Sequence, residues 1–176
     1  MGQVATMHDI PMNPWVILAS LFCLGAIVFQ DFRSRSIWIG WFPILLTLGF
    51  LCTGFATGWF LPWRAWGASL AFIVLEISIV TLYLRSHTGS WNWKGKLGLG
   101  DLLFWLCILP YSGFTFYIGF HLASLIFGLL GHIISTSITK QFSNKIALAG
   151  WQALLFSIIL VYLMFNPNMR HLLYFA

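Results

Sequence analysis

The sequence predicts an all-α membrane protein of six transmembrane helices, the fourth of them short, in a single domain over residues 1–176. Three observations predict it. Of the residues, 60% are hydrophobic and only 7% charged, whereas a soluble domain carries about a quarter charged residues. The chain therefore cannot turn a water-facing surface to every side. The apolar residues fall into runs of membrane-crossing length, and the lysines and arginines gather in alternate intervals between them.

A polar tail over residues 1–13 contains Asp9 and no Lys or Arg. Because no basic stretch precedes the first apolar run, that run is expected to remain as a span and not to be cleaved as a signal peptide. The first span covers about 14–30, near the lower length limit for crossing hydrocarbon. A basic knot follows, Asp31-Phe32-Arg33-Ser34-Arg35-Ser36. The second span covers about 37–60. Pro43 and four glycines (Gly40, Gly49, Gly54 and Gly58) lie within it, where they permit a bend and close helix packing. After the turn at Leu61-Pro62-Trp63-Arg64, the third span covers about 65–84. The polar interval from Arg85 to Leu97 holds Arg85, Lys94 and Lys96 and is the expected place for a mobile substrate-handling segment.

No charged residue occurs between Leu102 and Ser135, too long a run for one comfortable helix. Pro110-Tyr111-Ser112-Gly113 is turn chemistry and divides the run into a fourth span, about 98–109, and a fifth, about 114–135. Lys140 and Lys145 mark the next polar interval, and the sixth span covers about 146–165.

These intervals also predict orientation. One side collects Arg64 and Arg170; the other collects Arg33, Arg35, Arg85, Lys94, Lys96, Lys140 and Lys145. The positive-inside rule puts the second group in the cytoplasm. Both termini then lie outside it, in a multi-pass protein of the cell (inner) membrane, with Asp31 and Asp101 at the cytoplasmic face. The net charge of +5 is accounted for by topology and needs no nucleic-acid partner; the lipid bilayer is the partner it implies.

The fourth span is the informative one. Twelve residues reach roughly 18 Å at about 1.5 Å per residue, against about 30 Å of hydrocarbon. One end must therefore sit below the membrane surface, in protein or a water-filled cavity. The end with Asp101 is the expected one, which puts a carboxylate in a partly desolvated pocket where burial opposes ionisation. Of only four acidic residues, Asp31 and Asp101 share this face. Two close carboxyl groups that share one proton can make water nucleophilic and protonate a leaving amine. Gly98 and Gly100 would let an extended substrate strand approach closely. Asp101 also suits an N-cap of its helix, and Asp31 a solvated loop position whose ionised form Arg33 and Arg35 would favour.

At these residues the sequence resembles a known family. Gly98-Leu99-Gly100-Asp101 is similar to the GxGD signature of intramembrane aspartic proteases. Asp31-Phe32-Arg33-Ser34-Arg35-Ser36-Ile37 resembles the first-aspartate motif of type IV prepilin peptidases, where an aspartate precedes a basic turn and Ile-Pro-Asn. Lys145-Ile146-Ala147-Leu148-Ala149-Gly150 resembles the Ile-Pro-Leu-Ala segment that opens that family's last helix. The resemblance implies that Asp31 and Asp101 are catalytic, and that Gly98, Gly100, Arg33 and Arg35 belong to the motif and substrate approach. It also implies a prepilin-like substrate with a short basic leader, cut on the cytoplasmic side, and no cofactor or metal. The chain departs from the family in having Trp38-Ile39 for Pro-Asn and Ala147 for a proline, and in lacking the lysine soon after the GxGD aspartate. The four-cysteine domain tied to N-methylation is missing, so a peptidase-only form is implied.

Glu76, deep in the third span, is a supporting candidate by its depth alone. A transporter or channel subunit using Glu76 and Asp101 is the alternative from another class, and a catalytically degenerate scaffold of the same family is a third. His121 and His132 have no carboxylate or cysteine at ligand spacing, so no metal site is expected. Cys23, Cys52 and Cys107 read as small buried hydrophobes. Trp15, Trp38, Trp41, Trp59, Trp63, Trp66, Trp91 and Trp93 read as an interfacial belt.

Overall fold

A computed structural model describes residues 13–57, 63–88, 98–139, 147–166, 169 and 173. Among them are six α-helices and no strand: α1 (Pro14–Ser34), α2 (Trp41–Thr57), α3 (Trp63–Thr88), α4 (Leu99–Ile108), α5 (Phe114–Thr139) and α6 (Leu148–Phe165), with a 3₁₀ turn, Leu109–Tyr111, after α4. Stretches of α1, α3, α5 and α6 are long and apolar enough to cross a membrane, while α2 and α4 are shorter apolar helices. Leu70, Val74, Leu75, Ile79 and Leu82 of α3 are exposed, as are Leu122, Ile126, Leu129, Leu130, Ile133 and Ile134 of α5. Apolar faces this broad suit contact with lipid and would aggregate in water.

α1 starts where Asn13 accepts a hydrogen bond from the Trp15 amide at 3.0 Å and Pro14 takes the first helical position, its missing N–H being one that would have no partner there. The helix runs past Gln30 to Ser34 and stops at Arg35, whose backbone is left-handed (φ 54°) and whose N–H donates to the Asp31 carbonyl. Asp31 therefore lies in the last turn of a helix and not in a loop after one. The return is short. Gln30 Oε1 accepts from the Trp38 amide at 2.8 Å, and the Trp38 indole covers Gly40, where a Cβ would collide with the ring. α2 then starts at Trp41, so Pro43 falls in its first turn, where it interrupts nothing, and not within the span.

α6 is the hub, packed against α1, α5 and α4, while α2 bridges α1 and α4. Leu24, Ile27, Leu45, Phe104, Ile108, Phe156 and Leu160 fill the centre. Tyr111 joins three elements by polar bonds: its hydroxyl reaches Ser20 Oγ at 2.8 Å and donates to the Leu45 carbonyl at 3.1 Å. Gly49 makes room for its ring, since a Cβ there would lie 2.7 Å from Tyr111. Thr53 Oγ1 donates to the Pro110 carbonyl. The expected turn at Pro110–Gly113 is thus locked into the core.

The three cysteines are buried thiols. Trp15 and Trp38 are exposed, but Trp66 is buried, edge-on to Phe50, and so belongs to the core instead of the aromatic belt. Trp59, Trp91, Trp93, Lys94, Lys96, Lys140, Lys145 and Arg170 lie outside the described residues.

Candidate active site

Three helix ends meet at one place: the C-terminal end of α1 and the N-terminal ends of α4 and α6. An α-helix leaves its first amides without intrahelical partners and concentrates partial positive charge there. In α6, whose N-cap Ala147 supplies no side-chain hydrogen bond, two of these amides go to carboxylates. The Ala149 N–H donates to Asp101 Oδ1 at 2.7 Å, and the Gly150 N–H donates to Asp31 Oδ2 at 2.7 Å. Consecutive amides thus hold acids from helices α4 and α1, close enough for the two charges to repel.

Each aspartate reaches this position differently. Asp101 is in the first turn of α4, three residues after the N-cap, which is Gly98. Its Oδ2 also accepts from the Gly98 amide at 3.2 Å, so the carboxylate folds back over its own helix start while Oδ1 crosses to α6. Asp101 is accordingly not the N-cap residue that its sequence also suited. Asp31 is buried, 7% exposed, at the negative end of its own helix dipole. That local conflict is offset by the positive end of α6, and a residue placed against local preference in this way is a mark of a functional site.

Gly150 permits this contact. A Cβ on it would lie 3.0 Å from Asp31 Oδ2 and 3.2 Å from Asp31 Cβ. Gly98 does the same for Asp101, where a Cβ would lie 2.8 Å from Oδ2. Gly100 is different: the space beside it holds Ile37, 3.2 Å from a Cβ position, and Phe42. In this structure, then, Gly98 admits a carboxylate and Gly100 admits Ile37 from the α1–α2 return. Arg33 and Arg35 are exposed beside the site; the Arg33 guanidinium lies 5.6 Å from the Phe29 ring centre.

Glu76 is bonded elsewhere. Its two carboxylate oxygens lie 3.0 and 2.9 Å from His121 Nε2, joining α3 to α5. His121 is buried among the rings of Trp105, Phe72 and Tyr117. Among the described residues, no three His, Cys, Asp or Glu side chains gather as metal ligands.

Sequence reasoning missed the contact of Gly150 with Asp31 and the His121–Glu76 pair. The run Ala147-Leu148-Ala149-Gly150 was the available signal for the first, since small residues at a helix start allow another chain to approach. Nothing local to either His121 or Glu76 points to the other, 45 positions away. No protein-family model matches the chain, and neither the curated proteins nor the solved structures yield a match.

Proposed function

We propose that this chain is a membrane-embedded aspartic endopeptidase resembling the type IV prepilin peptidases. In this reading it crosses the cell membrane six times, α2 and α4 making the short passages, and cuts the basic leader from prepilin-like proteins at the cytoplasmic face. One observation carries the reading: Asp31 and Asp101, from separate helices, meet on the successive amides of Ala149 and Gly150.

The chemistry follows from their proximity. Two neighbouring carboxylates cannot both ionise comfortably, so the pair retains one proton. The ionised member takes a proton from water as the oxygen attacks the scissile carbonyl, and the protonated member gives its proton to the departing amide nitrogen. The proton belongs to the pair, not to one residue. Both side chains are held by backbone bonds to a packed helix, which keeps the base and acid oriented before substrate arrives. Because Glu76 is bonded to His121 and to neither aspartate, the Asp31–Asp101 pair supports this reading better than a solute path using Glu76 and Asp101.

The test is leader removal from a co-expressed prepilin-like reporter, followed by mass shift. Asp31→Asn and Asp101→Asn should each reduce cleavage by about 100-fold or more. The double variant should fare no worse than either single one, since the two residues act as a unit. Wild-type cleavage by either folded single variant would overturn the proposal.

A further inference from the structure

We infer that Gln152 is a positioning residue for the Asp31–Asp101 pair, acting through Trp105 and the first turn of α6; the inference rests on the peptidase reading above. α4 and α6 are tied by two rungs about one helical turn apart. In the first, Asp101 on α4 accepts from Ala149 on α6. In the second, Trp105 Nε1 on α4 donates to Gln152 Oε1 on α6 at 3.1 Å. The spacings, four residues on α4 and three on α6, keep both rungs on the facing sides of the two helices.

Gln152 is fully buried, and both ends of its amide are engaged. Nε2 donates to Ser124 Oγ of α5 at 3.1 Å, and Ser124 Oγ donates in turn to the His121 carbonyl at 2.8 Å. A buried amide with both groups satisfied has a single low-energy placement, because any rotation or slide of α6 would strand a donor or an acceptor in an apolar interior. Two residues earlier on the same helix, the Gly150 amide holds Asp31. Gln152 thereby fixes the rotation of α6, and with it the positions of the two amides that bring the acids together. It touches neither aspartate and takes no part in proton transfer.

The experiment uses the full chain in detergent micelles with two independent readings. The first is kcat and KM on the prepilin-like reporter. The second is carbodiimide-driven amidation of Asp31 and Asp101 by glycine methyl ester, mapped by mass spectrometry and needing no substrate. Gln152→Met keeps length and volume but loses both hydrogen bonds. It should lower kcat by roughly 10- to 100-fold with KM within about twofold, as expected for a small misplacement of reacting groups. Amidation of Asp101 should quicken severalfold as the α4–α6 contact loosens.

Trp105→Phe keeps the aromatic packing and deletes only the donor. It should give the same changes, and serves in place of Gln152→Met should that variant fail to accumulate. The two together should lose little more than the larger single loss, since both remove one bond. Unchanged amidation, or unchanged kcat in an active enzyme, overturns the inference. If the wild-type protein leaves every reporter uncut, the peptidase reading falls, and amidation alone decides whether Gln152 sets the geometry of the two acids.

Discussion

Gly150 and Asp31 are 119 residues apart and pack so closely that an added methyl at Gly150 would lie 3.0 Å from a carboxylate oxygen, while the Gly150 amide donates to that same oxygen at 2.7 Å. The side chain that is missing and the amide that is present are both needed there. Alanine favours a helix over glycine by about 1 kcal/mol, and crowding at the acid costs a similar amount or more.

Gly150→Ala should consequently leave the unfolding midpoint in detergent within a few degrees of wild type, yet lower leader cleavage by about 10-fold through displacement of Asp31. Gly150→Val, which adds bulk against Asp31, should lower both. A Gly150→Ala enzyme with wild-type kcat would show that Asp31 tolerates the shift.

A pair that shares one proton has a characteristic pH dependence. As pH falls, the second carboxyl gains its proton and the base is lost; as pH rises, the last proton leaves and the acid is lost. The rate of leader removal should therefore trace a bell against pH, its two limbs belonging to the pair jointly. A single sigmoid rising to a plateau would mean that only one carboxyl titrates in the working enzyme.

The Glu76–His121 pair joins α3 to α5 at 2.9–3.0 Å. His121→Leu leaves a carboxylate without its partner inside the bundle and should destabilise the fold by about 1–3 kcal/mol. Glu76→Gln keeps an acceptor for the imidazole and should cost less. Thermal unfolding in one detergent, with the variants side by side, separates these outcomes; equal loss from both would assign the effect to charge and not to hydrogen bonding.

Arg35 ends α1 in a left-handed conformation, φ 54°, that glycine adopts without strain. Arg35→Gly should leave the fold at least as stable as wild type, by up to about 1 kcal/mol. A clear drop in the unfolding midpoint would indicate that the guanidinium makes a stabilising interaction of its own.

The charge asymmetry is tested by labelling from each side. A cysteine at Ser34, in the exposed last turn of α1, should react with an impermeant maleimide only when the cytoplasmic face is open to it. A cysteine at Thr6 should react from the opposite side. Reversed labelling would place the two aspartates outside the cytoplasm.

The helical class, the succession of apolar runs and the break at Pro110 were legible in the sequence, because each depends on local composition or on a residue whose backbone chemistry acts where it stands; Asp31 and Asp101 were legible as candidates by the scarcity of acids and by their flanking motifs. Helix limits were less so. α1 continues through Asp31, whose side chain is held from outside by α6, and α2 begins late, which puts Pro43 in the first turn, where its missing N–H costs nothing. Trp66 read as interfacial by position but is core by contact.

By itself the sequence determined that this chain is built of apolar helices and that its few charges, Glu76 excepted, fall near the ends of the apolar runs or between them; both follow from the cost of putting charge and unpaired backbone into hydrocarbon. Tertiary structure alone decided that the amides of Ala149 and Gly150 meet the two acids, that Gln152 faces Trp105, and that Glu76 pairs with His121. These contacts depend on the rotation of one packed helix about another, which is set by the joint fit of distant side chains and has no signature in any single stretch of sequence.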